Sequence, residues 1–431
     1  MNEEVKISRL NDRFWNYAAF IAAMSSGVSF RMIGLWSLAD IVLLIAVLGF
    51  LNVKKSMLLQ RVLLLGMLWI FGAVLSNFYN GTILTDALKG IVSKFLFLCD
   101  IVGIYIIFHG NPFRIVWFLY GKILGSLIAI FVPSMNAHAM DMVSSGYDLY
   151  SDYYGVWLIY LCVPIVTGVV SLMYFYGRRK IAKWLMEGFA VVTLFYNSRN
   201  IFLTWTIAFA WLGSIERSRN NVVKRFSKII IIVGTLISIF AAKELYSKLA
   251  ENYVLGERAH DKYVMQSDNE EIGLMSGRID FFIALMAISE HPIIGYGDYA
   301  RDKYDIKVRF FEKRGLMLNT SKDPRLMFIP GHSYIFGSWV YSGLFGVIFW
   351  LYVGYLVFVF LKKYVDVIHE LLCVNLLFCL PFIWDYLFSP FGGRIEPALI
   401  IAYIVVFIDF GDSMEKHKGS IDKYRTDICE V

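Results

Sequence analysis

Apolar runs separated by short polar connections recur along this chain of 431 residues. One polar segment of about 85 residues, from Tyr246 to His332, interrupts the series, far longer than a connection that only joins helices. A helix needs about 20 residues to cross a hydrocarbon core about 30 Å thick, with its backbone polar groups bonded within the helix. Twelve runs are candidates: Phe14–Phe30, Leu35–Val53, Met57–Phe78, Ile91–Phe108, Pro112–Val132, Tyr154–Tyr176, Ile181–Tyr196, Asn200–Ile215, Phe226–Leu245, Leu344–Leu361, Leu371–Phe388 and Pro397–Phe410. The pattern predicts an all-α polytopic membrane protein with about 12 transmembrane helices and one large outer loop containing short helices. Residues 1–245 would hold the first nine helices, 246–343 the polar loop, and 344–431 the last three helices and a tail.

Composition agrees with this reading. Hydrophobic residues make up 58% and charged residues 18% of the chain, with mean hydropathy +0.59, which excludes a soluble domain of this length. Cys99, Cys162, Cys373, Cys379 and Cys429 lie in apolar runs or the tail, so neither a disulfide framework nor a metal-thiolate site is indicated. The net charge of +6 points to topology rather than nucleic acid, because the basic residues cluster beside the ends of apolar runs. With twelve spans, Lys6, Arg9 and Arg13, Lys54 and Lys55, Arg178 to Lys180, Arg217 to Lys228, Lys362 and Lys363, and Lys416 and Lys418 all fall on one side. That side is expected to be cytoplasmic, with both termini, and the polar segment then faces outward. The first run lacks a small-residue cleavage site and is expected to be retained.

Charge is unevenly spread in the polar segment. Leu245 to Ala300 carries four basic residues against nine acidic, and Arg301 to Arg325 carries eight against four. The second part is either a solvated surface or a stretch that gathers an anionic substrate. Gly277 is placed to cap a helix near 278–290 whose apolar stretch is Phe281 to Ile288 and which Pro292 ends. At about twelve residues it is too short to span and should lie in the interface or pack on the bundle.

Several side chains in this frame bear chemistry. Arg199 starts a helix at the outer end of a hairpin, where free amides and the helix dipole favour an anion and a guanidinium matches phosphate oxygens. Snorkelling to lipid headgroups is the alternative. Arg278 has the same logic, with a carboxylate partner such as Asp280 or Glu271 as its alternative. His332 lies where the polar segment rejoins the apolar runs; a neutral imidazole there could take a proton from a hydroxyl, or simply bond to backbone. His138, His260 and His291 compete for that role. Asp385 falls within a span, where a charge is a functional candidate or a partner for Arg394. No phosphate-binding glycine loop, zinc spacing or outer carboxylate pair is present in the sequence, which favours chemistry without a metal or cofactor.

Three separated segments match one pattern: Asn197-Ser198-Arg199 before a span; Ser276-Gly277-Arg278 leading to His291-Pro292 and Gly295-Tyr296-Gly297; and Gly331-His332-Ser333-Tyr334 leading to Gly343-Leu344-Phe345-Gly346. Together they resemble the O-antigen ligase and polysaccharide polymerase superfamily, over about Gly188 to Leu361. The resemblance implies a metal-independent glycosyltransferase similar to the type C class, in the bacterial inner membrane. It would transfer glycan from undecaprenyl diphosphate to a sugar hydroxyl at the periplasmic face. Its partners would be the lipid-linked donor, a glycan acceptor, the bilayer and, as a further candidate, a chain-length regulator. Arg199 and Arg278 would hold the diphosphate, His332 would act as base, and Ser333 and Tyr334 would contact substrate. Ser333 departs from the family pattern, where Asn commonly follows the histidine.

Within that superfamily the preferred expectation is a polymerase of lipid-linked repeat units; the alternative is a ligase acting on the lipid A core. A flippase for the same lipid is the expectation of another class. It would show repeated halves and interrupted helices around a midplane cavity, whereas the sequence shows no repeat and gathers its polar residues in one segment.

Overall fold

The computed structural model describes residues 3–50, 56–108, 110–137, 152–195, 198–217, 248, 251–253, 279–313, 328–331, 333–391 and 393–416. Most of them are helical. The helices are α1 (Glu3–Ser25), α2 (Leu38–Gly49), α3 (Met57–Tyr79), α4 (Leu84–Phe108), α5 (Ile115–Phe131), α6 (Asp152–Phe175), α7 (Arg179–Phe195), α8 (Arg199–Arg217), α9 (Ile279–Glu290), α10 (Ile306–Glu312), α11 (Tyr334–Val359), α12 (Leu372–Phe388) and α13 (Ile395–Lys416). Among the described residues, five helical stretches are long and apolar enough to cross a membrane: Met57–Tyr79, Leu84–Phe108, Pro112–Phe131, Tyr334–Tyr364 and His369–Phe388. The predicted span Phe226–Leu245 lies outside the described residues.

Polar residues start these helices at defined places. The Ser56 hydroxyl accepts from the Leu59 amide at the start of α3, and Ser37 forms a capping box with Asp40 at the start of α2. At 12 residues α2 is about 18 Å long, short of a hydrocarbon core. The first connection departs from the predicted bounds of the first two runs. Instead of running to Phe30, α1 ends at Ser25, and a hairpin of β1 (Ser29–Met32) and β2 (Gly34–Ser37) follows. Ser25 and Ser26 donate their hydroxyls to the Ala22 and Ala23 carbonyls, the local bonding by which serine competes with a continuing helix.

Within the bundle α1 packs on α5, α3 on α11, and α4 on both α2 and α13. An aromatic knot joins α3, α4 and α11. The Trp69 and Phe349 rings stack with centroids 5.0 Å apart, and Phe97, Trp350 and Phe391 close around them.

The described part of the polar segment is a small layer fastened to α11. α9 forms where the apolar stretch Phe281 to Ile288 was read, ends before Pro292, and packs on the bundle rather than standing apart. Ile283, Ala284, Ala287, Tyr296, Ile306, Phe310 and Ile329 share one core with Val340 of α11. α11 is broken at Gly343 (φ 60°, ψ −148°). A break in an apolar helix frees backbone groups that must find partners. Here the polar segment supplies them: the Tyr296 amide donates to the Val340 carbonyl (2.7 Å), Gly297 to Tyr341 (3.1 Å), and Leu344 back to Ile293 (2.9 Å). Gly343 is required twice over, by its positive φ and because a Cβ would meet the Ile293 backbone. Gly343→Ala is therefore expected to destabilise the protein by about 1–3 kcal/mol, read as a lowered thermal midpoint in detergent.

Candidate functional site

The sites predicted for phosphate and base chemistry lie at helix starts. Arg199 is the first residue of α8, Arg278 directly precedes α9, and His332 directly precedes Ser333, which caps α11. The Arg199 side chain and all of Arg278 and His332 lie outside the described residues, as do His138 and His260. The elements beside two of these positions do meet. Phe281, in the first turn of α9, packs edge-on against Phe336 in the first turn of α11 (centroids 4.9 Å) and against Phe388 at the end of α12 (6.3 Å). Ser333 ties the same junction, donating its hydroxyl to the Tyr386 carbonyl (2.9 Å) while accepting from the Phe336 amide (3.1 Å). α8 packs along α12, so the helix that begins with Arg199 leans on the same support.

Ser333 and Tyr334, expected to contact substrate, hold this junction together. Ser333 is 2% exposed with its oxygen engaged as helix cap and donor. Tyr334 is buried, its ring against Trp350 (5.1 Å), Phe391 (5.6 Å) and Phe382 (5.9 Å). The pairing of Asp385 with Arg394, the alternative to a functional role, is not formed. Asp385 accepts from the Ser389 hydroxyl (2.6 Å), whereas Arg394 points to Asp40 (2.5 Å) and lies 4.0 Å from Asp100, because the turn after α12 carries it over the start of α2. His291 packs against Tyr296 (4.8 Å) and Tyr304 (5.4 Å). The Tyr296 hydroxyl donates to the Ala287 carbonyl (3.2 Å), and burial first, then nearby Glu290, pushes its pKa up, so it is a neutral donor here.

A second anchor holds the polar segment to the bundle, and it escaped the sequence reading. Asp298, 3% exposed, forms an ion pair with Lys94 of α4, whose side chain is 6% exposed. The Asn77 amide donates to Asp298 Oδ2 (2.8 Å) and its oxygen accepts from the Asp298 amide (2.7 Å), while the Gly297 amide donates to Ser76 Oγ (2.8 Å). A buried ion pair holds only when its remaining lone pairs are also satisfied, and Asn77 does this. Gly297 has φ 84° and lies against Thr82 and Asn77, where a Cβ would not fit. Lys94 was visible as a lysine within an apolar run, the signal that marks buried partnership.

The basic stretch after Arg301 is partly engaged inside the fold. Arg309 pairs with Glu290 (2.8 Å), Lys303 donates to the Asn80 carbonyl (2.8 Å), and Arg301 lies over the Phe328 ring (5.9 Å). Among the described residues no three His, Cys, Asp or Glu side chains are grouped to hold a metal ion.

No family model, curated protein or solved structure matches this chain in the comparisons made.

Lys94→Met is expected to cost about 3–5 kcal/mol by stranding a buried carboxylate, and Lys94→Met with Asp298→Asn to regain much of that loss. Thermal unfolding of the two variants in one detergent checks this; equal losses would remove the pair from the account.

Proposed function

We propose that this chain is a glycosyltransferase of the inner membrane that extends a lipid-linked oligosaccharide at the outer face. The observation that carries the reading is the junction of the α9 and α11 starts on the end of α12, since it places the backbone next to Arg278 and next to His332 on one support. The resemblance of the Arg199, Arg278 and His332 segments to the O-antigen ligase and polysaccharide polymerase superfamily supplies the chemistry. On this reading the chain has about twelve spans, cytoplasmic termini and a periplasmic polar segment, in an architecture similar to type C glycosyltransferases.

The reaction moves one glycosyl group. The bond between the anomeric carbon and the diphosphate oxygen breaks, and the diphosphate leaves with the electron pair. Arg199 and Arg278 stabilise that charge where it develops, in the role a divalent metal fills elsewhere. The acceptor oxygen attacks from the opposite side and forms the new bond, giving inversion, while His332 takes the acceptor proton. Ser333 and Tyr334 follow the base in sequence and hold the start of α11 in place. The acceptor is proposed to be another lipid-linked repeat unit, as for a polymerase; transfer to a lipid A core, as for a ligase, is the alternative within the same chemistry.

A flippase reading has one observation in its favour, the interrupted helix α11. In such transporters the carbonyls at the interruption face substrate or ion. In this chain the Val340 and Tyr341 carbonyls accept from Tyr296 and Gly297, so the interruption binds the protein's own polar segment.

Purified protein given an undecaprenyl diphosphate-linked oligosaccharide should extend it. His332→Ala should lower the rate about 10²–10⁴-fold, and Arg199→Ala or Arg278→Ala about 10²–10³-fold each. Extension that survives all three changes would reject the assignment, and lipid translocation without extension would favour the flippase.

A further inference from the structure

Asp40, Asp100 and Arg394 meet inside the bundle, from the first turn of α2, the body of α4 and the residue before α13. Asp40 and Asp100 are 0% exposed and the Arg394 side chain 9%. Their hydrogen bonds are unequal. Asp40 Oδ2 accepts both the Ser37 amide (2.6 Å) and Arg394 Nη2 (2.5 Å). Asp40 Oδ1 and both Asp100 oxygens are buried and receive no N–H or O–H donor. Both carboxyl groups face the same guanidinium, Asp40 through its hydrogen bond from Arg394 Nη2 and Asp100 Oδ2 at 4.0 Å from Arg394 Nε.

Charge decides what such a group can be. Two carboxylates facing one guanidinium would leave an uncompensated negative charge in the bundle interior, which buried acids avoid by taking up a proton. The other charged groups of the packed elements do not supply a second cation: Lys94 is held by Asp298, and Lys122 of α5 by Glu396 (2.6 Å). Asp385 is occupied with Ser389, and Cys99 beside Asp100 adds no positive charge. We propose that Asp100 is a proton-binding site that donates its proton to Asp40 Oδ1, making Asp40, Asp100 and Arg394 a neutral cluster that clamps α2, α4 and the turn into α13.

This assigns the proton to one side chain. Asp40 already has two strong donors on one oxygen and is the carboxylate. Asp100 has none and is the acid. One O–H bond from Asp100 fills the vacant Asp40 lone pair and removes the excess charge together. The clamp also bears on the aromatic knot, because Arg394 follows Phe391, whose ring closes on Trp69, Phe97 and Tyr334. The inference is independent of the proposed glycosyl transfer.

The test uses the full chain in detergent or nanodiscs. Infrared difference spectra between H₂O and D₂O at neutral pH should show a protonated-carboxyl band that Asp100→Asn removes. Asn is an uncharged stand-in for the protonated acid, so Asp100→Asn should keep the thermal midpoint near that of the unchanged protein. Asp40→Asn, which strips Arg394 of its carboxylate, should lower it by several degrees or prevent folding. The proposal is overturned if the carboxyl band persists in Asp100→Asn, or if that variant loses as much stability as Asp40→Asn. It is also overturned if sodium ion raises the midpoint of the unchanged protein but not of Asp100→Asn, since a cation rather than a proton would then neutralise the cluster.

Discussion

The backbone hydrogen bonds across the break in α11 are what the rest of this structure depends on. A helix among apolar neighbours cannot stop and restart unless something bonds to the groups set free. Ile293, Tyr296 and Gly297 do so, which makes the polar segment a part of the bundle at that level rather than an appendage. Two consequences follow in space. α9, directly upstream, is drawn against α11, and its first turn meets the first turn of that helix through Phe281 and Phe336. Asp298, directly downstream, is carried to Lys94 on α4. One short stretch, His291 to Ala300, thus spans from α11 to the α3–α4 pair.

Charge inside the bundle serves placement more than energy. A buried ion pair gives little net stabilisation relative to apolar residues of the same volume, but an unpaired member is very costly. Lys94 with Asp298, and Asp40 with Arg394, therefore act as registers: a polar segment or turn docked one residue out of place would leave a charge alone.

How much of this was legible in the sequence varied with the range of the interaction. α9 could be read because Phe281 to Ile288 and Pro292 mark it locally. α4 begins seven residues before the apolar run at Ile91, because Thr85, Asp86 and Lys89 sit on a helix end that hydropathy alone discounts. The hairpin after α1 was missed, since Phe30, Leu35 and Trp36 look like continuations of apolar runs, while the Ser25 and Ser26 hydroxyls bond to carbonyls of the last helical turn. Lys94 within an apolar run signalled a buried partner, but not which one; Asp298 lies 204 residues away, and no local pattern couples them. In the site, Ser333 and Tyr334 were visible as polar neighbours of His332, but capping and ring packing are properties of the helix junction, which the sequence does not display. Pairing with Arg394 was one of two readings of Asp385, suggested by nearness in sequence, while the turn takes Arg394 across to α2.

We propose that Arg199, Arg278 and His332 bind one lipid diphosphate together. A cryo-EM map of the protein with undecaprenyl diphosphate bound addresses it most directly. The account predicts diphosphate density between the Arg199 and Arg278 guanidinium groups with His332 beside it. Diphosphate density elsewhere, or the three side chains facing separate cavities, would contradict it.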